Sequence, residues 1–120
     1  MHARAEELIR ALRLRPHREG GYFAEVFRSP RLVRPQGSEE DRERDRSALT
    51  TIYFLLAAGE VSRWHRLDAD EIWHFYEGAP LALYLLDAGA RILTRSRLGA
   101  GAPGDVRVQI QDKKYSPPEI

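Results

Sequence analysis

The periodicity of apolar residues predicts one short helix near the N-terminus, followed by a strand. Over residues 3–13, apolar side chains recur at the i, i+3, i+4 and i+7 spacing of an amphipathic helix. Pro16 is expected to end this helix, because the residue before a proline disfavours helical backbone geometry. Residues 22–29 then alternate between two faces, which predicts a strand. One face of this strand is predicted to carry Phe23, Glu25 and Phe27.

The remaining pattern predicts a series of further strands. Residues 29–47 contain prolines, a glycine and a dense run of charges without an apolar period, so we expect an exposed loop there. Residues 48–57 are almost continuously apolar, which predicts a central strand buried on both faces. Short strands at regular spacing are typical of a β-sandwich or barrel, here with the helix as a cover. The further strands are predicted over residues 60–65, 71–78, 81–87, 90–96 and 105–112, with a loose tail over 112–120.

Length and composition narrow the class of protein. A chain of 120 residues fits a single domain over residues 1–120, and the lack of cysteine excludes a disulfide framework or a zinc–thiolate site. Apolar runs stay below the ~20 residues that a membrane span needs, so we expect a cytoplasmic protein without a membrane partner. The net charge is +1, and the arginines are scattered among acidic residues. Nucleic-acid-binding proteins group their basic residues on one face or along one helix, so we expect no nucleic-acid partner here.

The strongest motif lies between Gly59 and Gly78. Five residues separate Gly59 from His65, five separate His65 from Glu71, and six separate Glu71 from Gly78. This spacing resembles the first signature of the cupin superfamily, which builds a metal or ligand site inside a small β-barrel. Leu67 stands where that signature has its second histidine.

Imidazole and carboxylate ligands suit a divalent metal such as Mn, Fe, Ni or Zn. His65 and Glu71 are the candidate ligands, and His74 is a third ligand only if a β-bulge turns it toward Glu71, because strand side chains alternate. The structural alternatives are a hydrogen-bonded His65 and an ion pair of Glu71 with Arg63 or Arg66. Two ligands are too few for the usual metal-dependent dioxygenase, which makes that the weakest enzyme hypothesis.

A second informative segment covers residues 16–29, PHREGGYFAEVFRS. Its order of acid, glycine, two aromatics, glutamate, aromatic and arginine is similar to a strand of the sugar-nucleotide 3,5-epimerases, where it helps to line the nucleotide-sugar site. The resemblance implies that Phe23, Glu25 and Arg28 are ligand contacts, and the rigid donor fork of an arginine suits a phosphate. The alternative is an edge strand on which Glu25 and Arg28 are solvated.

Two blocks together resemble one family, the cupin type 5 domain of unknown function, which is related in fold to those epimerases. The blocks are LRPHREGGYFAEVFRS and LTTIYFLLAAGEVSRWHRLDADEIWHFYEGAPLALYLL, and the resemblance covers about Leu14 to Leu98. It implies a mainly β, cupin-type double-stranded β-helix (a jelly-roll barrel) with a short N-terminal helix. In that family Leu67 is a regular feature. The second cupin motif is not found after residue 98, so we expect the last strands to be missing, divergent or supplied by a partner chain.

Three functional hypotheses follow. The first is binding of a small polar ligand, which would be a nucleotide, a sugar phosphate or an organic acid. The second is a nucleotide-sugar epimerase or isomerase in which His65 is the general base and Tyr53 or Tyr76 the acid. The third is a non-enzymatic cupin remnant that acts through self-association, and a homodimer is expected in each case. The predicted ligand contacts are Phe23, Glu25, Arg28, His65, Glu71 and Trp73.

Overall fold

The computed structural model describes residues 1–34, 45–66, 69–87 and 89–111. These residues form nine strands and one helix, so the mainly β class is confirmed for the described part of the chain. No helix among these residues has the length and apolar character needed to cross a membrane. The chain forms two compact units, Met1–Arg63 and Trp64–Ile120, called here the N-terminal and the C-terminal unit.

The N-terminal unit begins with helix α1, Ala3–Leu12, which confirms the helix predicted from the apolar period. His2 caps it, because its Nδ1 accepts the backbone N–H of Arg4 at 3.0 Å. Arg13 ends it in the left-handed conformation, with φ of 54°. The helix therefore ends at Leu12 with the left-handed Arg13 as its cap. Pro16 does not end the helix as predicted, because it lies in a strand.

Five strands complete this unit. The first sheet has the order β1–β2–β5, antiparallel throughout, and a separate two-stranded ladder pairs β3 with β4. The strands are β1 Arg15–Pro16, β2 Tyr22–Arg28, β3 Leu32–Val33, β4 Arg46–Ser47 and β5 Thr50–Leu55.

The predictions for residues 29–47 and for the environment of β5 are wrong. Residues 29–47 were expected to form a loop throughout, but both ends of that range are paired as β3 and β4. Residues 35–44 lie outside the described residues. Strand β5 was expected to be buried on both faces, yet Thr50–Tyr53 are exposed. In the described sheet β5 has one neighbour, β2, so it is an edge strand. Its side chains are therefore less buried than its almost continuous apolar sequence predicts.

Strand β2 contains a β-bulge between Glu25 and Phe27. Glu25 lies opposite Ile52, whereas Phe27 lies opposite the adjacent residue of β5, Thr51, so Val26 is the extra residue. Neighbouring residues of β5 point to opposite faces. The predicted assignment of Phe27 to the same face as Glu25 is therefore wrong.

The turn before β2 depends on Gly20, whose φ is 111°. Its N–H donates to the carbonyl of His17 at 3.0 Å, while the N–H of Arg63 donates to the carbonyl of Glu19 at 2.7 Å. The second bond draws residues 61–63 against the turn. A Cβ at position 20 would overlap the carbonyl oxygen of Val61, so close backbone approach requires glycine here.

The C-terminal unit contains two antiparallel pairs, β6 with β9 and β7 with β8. The prediction of a strand over residues 60–65, a range that includes the boundary between the two units, is wrong because the backbone there is irregular. Asp87 stabilises the connection from β7 to β8, because its Oδ1 accepts the N–H of Ala90 at 3.1 Å. The strands are β6 Glu71–His74, β7 Leu81–Asp87, β8 Ile92–Leu98 and β9 Val108–Gln111.

The buried apolar side chains described in this unit lie on one face of the β7–β8 pair. Leu83 and Leu85 alternate with exposed Tyr84, and Leu98 is buried near the end of β8. The loop that follows is held by Asp105, whose Oδ2 accepts the N–H groups of Gly101 and Ala102 at 3.1 and 3.0 Å. The predicted tail, residues 112–120, lies outside the described residues.

Candidate functional site

A groove of about 690 Å³ lies in the N-terminal unit, where the end of β2 meets the β3–β4 ladder and the start of β5. We call it the arginine groove. Its size is within the range of small-molecule sites. Of the seven lining residues that the structure describes, six have polar side chains, and two of these are arginines. These described lining residues are Arg28, Ser29, Leu32, Asp45, Arg46, Ser47 and Thr50.

The bulge in β2 brings Arg28 onto the face that carries Glu25. Arg28 lies opposite Thr50 and Glu25 opposite Ile52, and these two β5 residues share a face because they are two positions apart. Without the bulge, Glu25 and Arg28 would point to opposite faces, since they are three residues apart. The irregular register therefore assembles the pair.

Arg28 and Glu25 form a close ion pair. The Nε of Arg28 donates to Oε1 of Glu25 at 2.7 Å, and Nη2 lies 2.7 Å from the same oxygen. The side chains are 62% and 39% exposed. An exposed pair of this kind contributes only about 0–1 kcal/mol to stability. Its main physical effect is to hold the Nε–Nη2 edge of the guanidinium in one orientation.

Hydroxyl groups and a carboxylate complete the wall. Ser47 Oγ lies 2.8 and 3.0 Å from the carbonyl oxygens of Ser29 and Leu49, which share its one hydroxyl proton. Ser29 Oγ accepts the N–H of Arg31 at 3.1 Å, which leaves the hydroxyl proton of Ser29 unused in the described contacts. Asp45 Oδ1 lies 3.2 Å from Nε of Arg34. The groove therefore presents cationic donors, a hydroxyl donor and one acidic acceptor.

Phe23 shares the face of Glu25 but does not line the arginine groove. Its ring meets His17 edge-on at a centroid distance of 4.9 Å, and the Arg15 guanidinium lies 5.4 Å from its centroid. His17 also meets Phe54 edge-on at 5.4 Å. Phe23 is thus part of an aromatic cluster at the other end of this face, and of the three residues implied by the resemblance, Arg28 alone lines the groove.

Tyr53, the candidate acid, is not brought to this face. It lies opposite Ala24 in the β2–β5 register, one position away from the pairs that contain Phe23 and Glu25. Alternation therefore puts Tyr53 on the other face of the sheet.

In the C-terminal unit, Glu71 and Trp73 share the half-buried face of β6. The indole N–H of Trp73 donates to Oε1 of Glu71 at 2.5 Å. Tyr76, the other candidate acid, is exposed and stacks on His74 with a centroid distance of 6.5 Å and an interplanar angle of 11°. His65 is half-buried on an irregular segment.

The register of β6 bears on the metal hypothesis. Glu71 to His74 pair with Gln111 to Val108 one for one, so β6 lacks the bulge that would turn His74 toward Glu71. Burial alternates accordingly, with Glu71 half-buried and His74 exposed. Among the residues that the structure describes, no group of three or more histidine, aspartate or glutamate side chains is placed to hold a metal ion. His65, Glu71 and His74 are thus not assembled as a three-ligand set.

Most of the arginine groove was missed by reasoning from the sequence. Ser29, Asp45, Arg46 and Ser47 fall in the range that was interpreted as an exposed loop, and Thr50 in a strand interpreted as buried. The one available signal was the resemblance that singled out Arg28. Nothing in the local pattern indicates that residues 45–47 return beside it.

Comparison with known proteins places the chain in a family. The family model described as Cupin superfamily (DUF985) matches residues 6–114. A solved structure of a hypothetical protein from Leishmania major is 36% identical with a TM-score of 0.77, and covers 90% of this chain. A crystal structure of a protein from Shewanella oneidensis is 34% identical with a TM-score of 0.76, and covers 92% of this chain.

The chain spans 64% of the length of each of these two proteins. No functionally curated protein matches it. The mainly β architecture agrees with the fold of these neighbours. The matched range and the similarity to both structures show that the chain belongs to the cupin superfamily, in its DUF985 family.

Proposed function

We propose that this chain binds a small anionic ligand in the arginine groove, with Arg28 as the anion-binding residue. The observation that carries the proposal is the Arg28–Glu25 pair. One carboxylate oxygen takes the Nε–Nη2 edge of the guanidinium, at 2.7 Å from both nitrogens. In the described contacts the remaining edge, which includes Nη1, has no protein partner.

A guanidinium edge with two donors matches a carboxylate or a phosphate group. By contacting the Nε–Nη2 edge, Glu25 orients the whole guanidinium, so less conformational entropy is lost when an anion binds the remaining edge. Half-buried Arg46 adds a second guanidinium to the wall of the groove. An anion of either class finds two cationic side chains and nearby hydroxyls at one site.

Arg28→Ala is expected to weaken binding of the best ligand at least tenfold. A hydrogen bond to a charged group contributes about 1.5–3 kcal/mol, and each 1.4 kcal/mol is a factor of ten in Kd. Isothermal titration calorimetry with ribose 5-phosphate, AMP, citrate and inorganic phosphate measures this. Arg28→Lys keeps the charge but loses the fork, so we expect an intermediate Kd.

The matched control is Arg18→Ala. The side chain of Arg18 is 90% exposed and does not line the groove, so its removal is expected to leave Kd unchanged. Binding by Arg28→Ala that equals wild type, or no binding by any of the four anions at millimolar concentration, would contradict the proposal.

We also propose that the chain forms a homodimer. Strands β2, β3 and β5 of the N-terminal unit expose large apolar side chains, and exposed apolar surface commonly marks an interface. Sedimentation velocity at tens of micromolar is expected to give twice 13.8 kDa. A monomer at that concentration would exclude the homodimer. The exposed side chains are those of Val26, Phe27, Leu32, Val33 and Ile52.

The isomerase hypothesis stays a prediction. It requires His65 and an acidic tyrosine on opposite sides of one substrate. The described contacts favour no such pair: Tyr53 lies on the other face of its sheet from Glu25, and Tyr76 stacks on His74. Anion binding, which rests on described contacts of Arg28, is therefore the function we propose.

A further inference from the structure

We infer that the ligand of the arginine groove is a sugar phosphate, that is, a phosphate monoester of a neutral, hydroxylated group. This inference rests on the proposed function, since it names the class of anion bound there. It is carried by the chemical character of the described side chains that line the groove: two guanidinium groups, three hydroxyls, one carboxylate and a single apolar residue.

The cationic part of the wall suits a phosphate group. Arg28 and Arg46 contribute guanidinium donors, and Ser29 and Thr50 contribute hydroxyls. Each phosphate oxygen accepts more than one hydrogen bond, so a phosphate uses a set of several donors more fully than a single carboxylate does. Serine hydroxyls also adapt their proton position to the acceptor.

Asp45 determines the chemical class of the ligand group that lies beside it. Its Oδ1 lies 3.2 Å from Nε of Arg34, and in the described contacts Oδ2 has no partner. A carboxylate accepts hydrogen bonds and repels a second anion. The ligand group beside Asp45 is therefore a hydroxyl donor without charge, which a sugar supplies and a di- or tricarboxylate does not.

The lack of an aromatic ring among the described lining residues argues against a nucleotide. Leu32 is the one apolar side chain among the described lining residues, and no aromatic ring lines the groove there. Proteins hold nucleobases largely by stacking on aromatic or guanidinium planes, and here both guanidinium groups of the groove are assigned to the phosphate. The aromatic cluster around Phe23 and His17 is itself packed edge-to-face. An adenine attached to the sugar therefore adds little to the binding free energy in this groove.

The test compares four probes by titration calorimetry: ribose 5-phosphate, AMP, inorganic phosphate and malate. Ribose 5-phosphate is expected to bind at least tenfold more tightly than inorganic phosphate or malate, and AMP no more than threefold more tightly than ribose 5-phosphate. AMP that binds tenfold more tightly than ribose 5-phosphate would overturn the inference in favour of a nucleotide. Malate as the best ligand would overturn it in favour of a hydroxy acid.

Asp45→Asn separates the sugar from the phosphate. The variant is expected to lose the preference for ribose 5-phosphate over inorganic phosphate, while its Kd for inorganic phosphate stays the same or falls. Asp45→Glu, which keeps the carboxylate, is expected to retain the preference. Glu7→Gln is the matched control, because Glu7 is an exposed carboxylate on α1 that does not line the groove.

The two proposals fail in different ways. If inorganic phosphate binds and Arg28→Ala weakens it, but ribose adds nothing, the sugar-phosphate inference is wrong and anion binding stands. If none of the anions binds, both proposals are wrong. A preference for ribose 5-phosphate that survives in Asp45→Asn would show that Asp45 does not contact the sugar, and would overturn the assignment of Asp45 as the residue that selects a sugar.

Discussion

Gly20→Ala is expected to lower the free energy of unfolding of the N-terminal unit by about 2–5 kcal/mol. About 1–2 kcal/mol comes from holding a residue with a Cβ at positive φ, and about 1–3 kcal/mol from overpacking against the carbonyl of Val61. The atom that the new Cβ would overlap is a backbone oxygen, that of Val61. It can move away only if the hydrogen bond from the N–H of Arg63 to the carbonyl of Glu19 is disturbed. Urea denaturation followed by far-UV circular dichroism measures the loss. Hydrogen exchange over residues 15–28 locates it.

Gly59→Ala is the matched control for this prediction. Gly59 also has positive φ, 81°, but a Cβ there meets nothing within 4 Å. We expect a loss of about 1–2 kcal/mol, which is the backbone term alone. Equal losses in the two variants would show that close approach to Val61 does not constrain position 20.

Leu85→Ala is expected to cost about 2–5 kcal/mol, since it removes buried methyl groups and leaves a cavity. Leu85 is 6% exposed on β7, on the same face as Leu83. Both tryptophans of the chain, Trp64 and Trp73, lie in the C-terminal unit. Their fluorescence during urea denaturation therefore reports on the unit that carries the mutation.

Leu93→Ala, on the neighbouring strand β8, is the control. Leu93 is 59% exposed, and a substitution at such a surface position usually changes stability by no more than about 0.5 kcal/mol. A cost for Leu85→Ala below that of Leu93→Ala would contradict the assignment of the β7–β8 core face.

Local periodicity was sufficient for the elements whose partners are near in sequence. Helix α1 follows from the apolar repeat over residues 3–13, because its hydrogen bonds lie within four residues. Strands β7 and β8 follow from two short apolar segments joined by a turn that Asp87 stabilises. The alternation that set Glu71 and His74 on opposite sides of β6 was also correct, because the register there is regular.

Predictions failed where a strand's environment depends on distant parts of the chain. Residues 48–57 look like a buried central strand, but β5 pairs with β2 alone in the described sheet and exposes Thr50–Tyr53. Residues 60–65 have a strand-like composition, yet they do not pair as a strand. The backbone N–H of Arg63, for example, donates to the carbonyl of Glu19 in the turn before β2. Composition reports the preference of a segment, whereas pairing depends on which neighbour is present.

The sequence by itself determined the helix, most strands, the mainly β class and membership of the cupin superfamily, and it made Arg28 a candidate ligand contact. The tertiary structure alone decided the bulge at Val26, the resulting Arg28–Glu25 pair and the return of Asp45 and Arg46 to the same groove. The physical reason is the range of the interactions. A local pattern fixes which way neighbouring side chains alternate, but a bulge and a groove arise from the register between strands more than twenty residues apart.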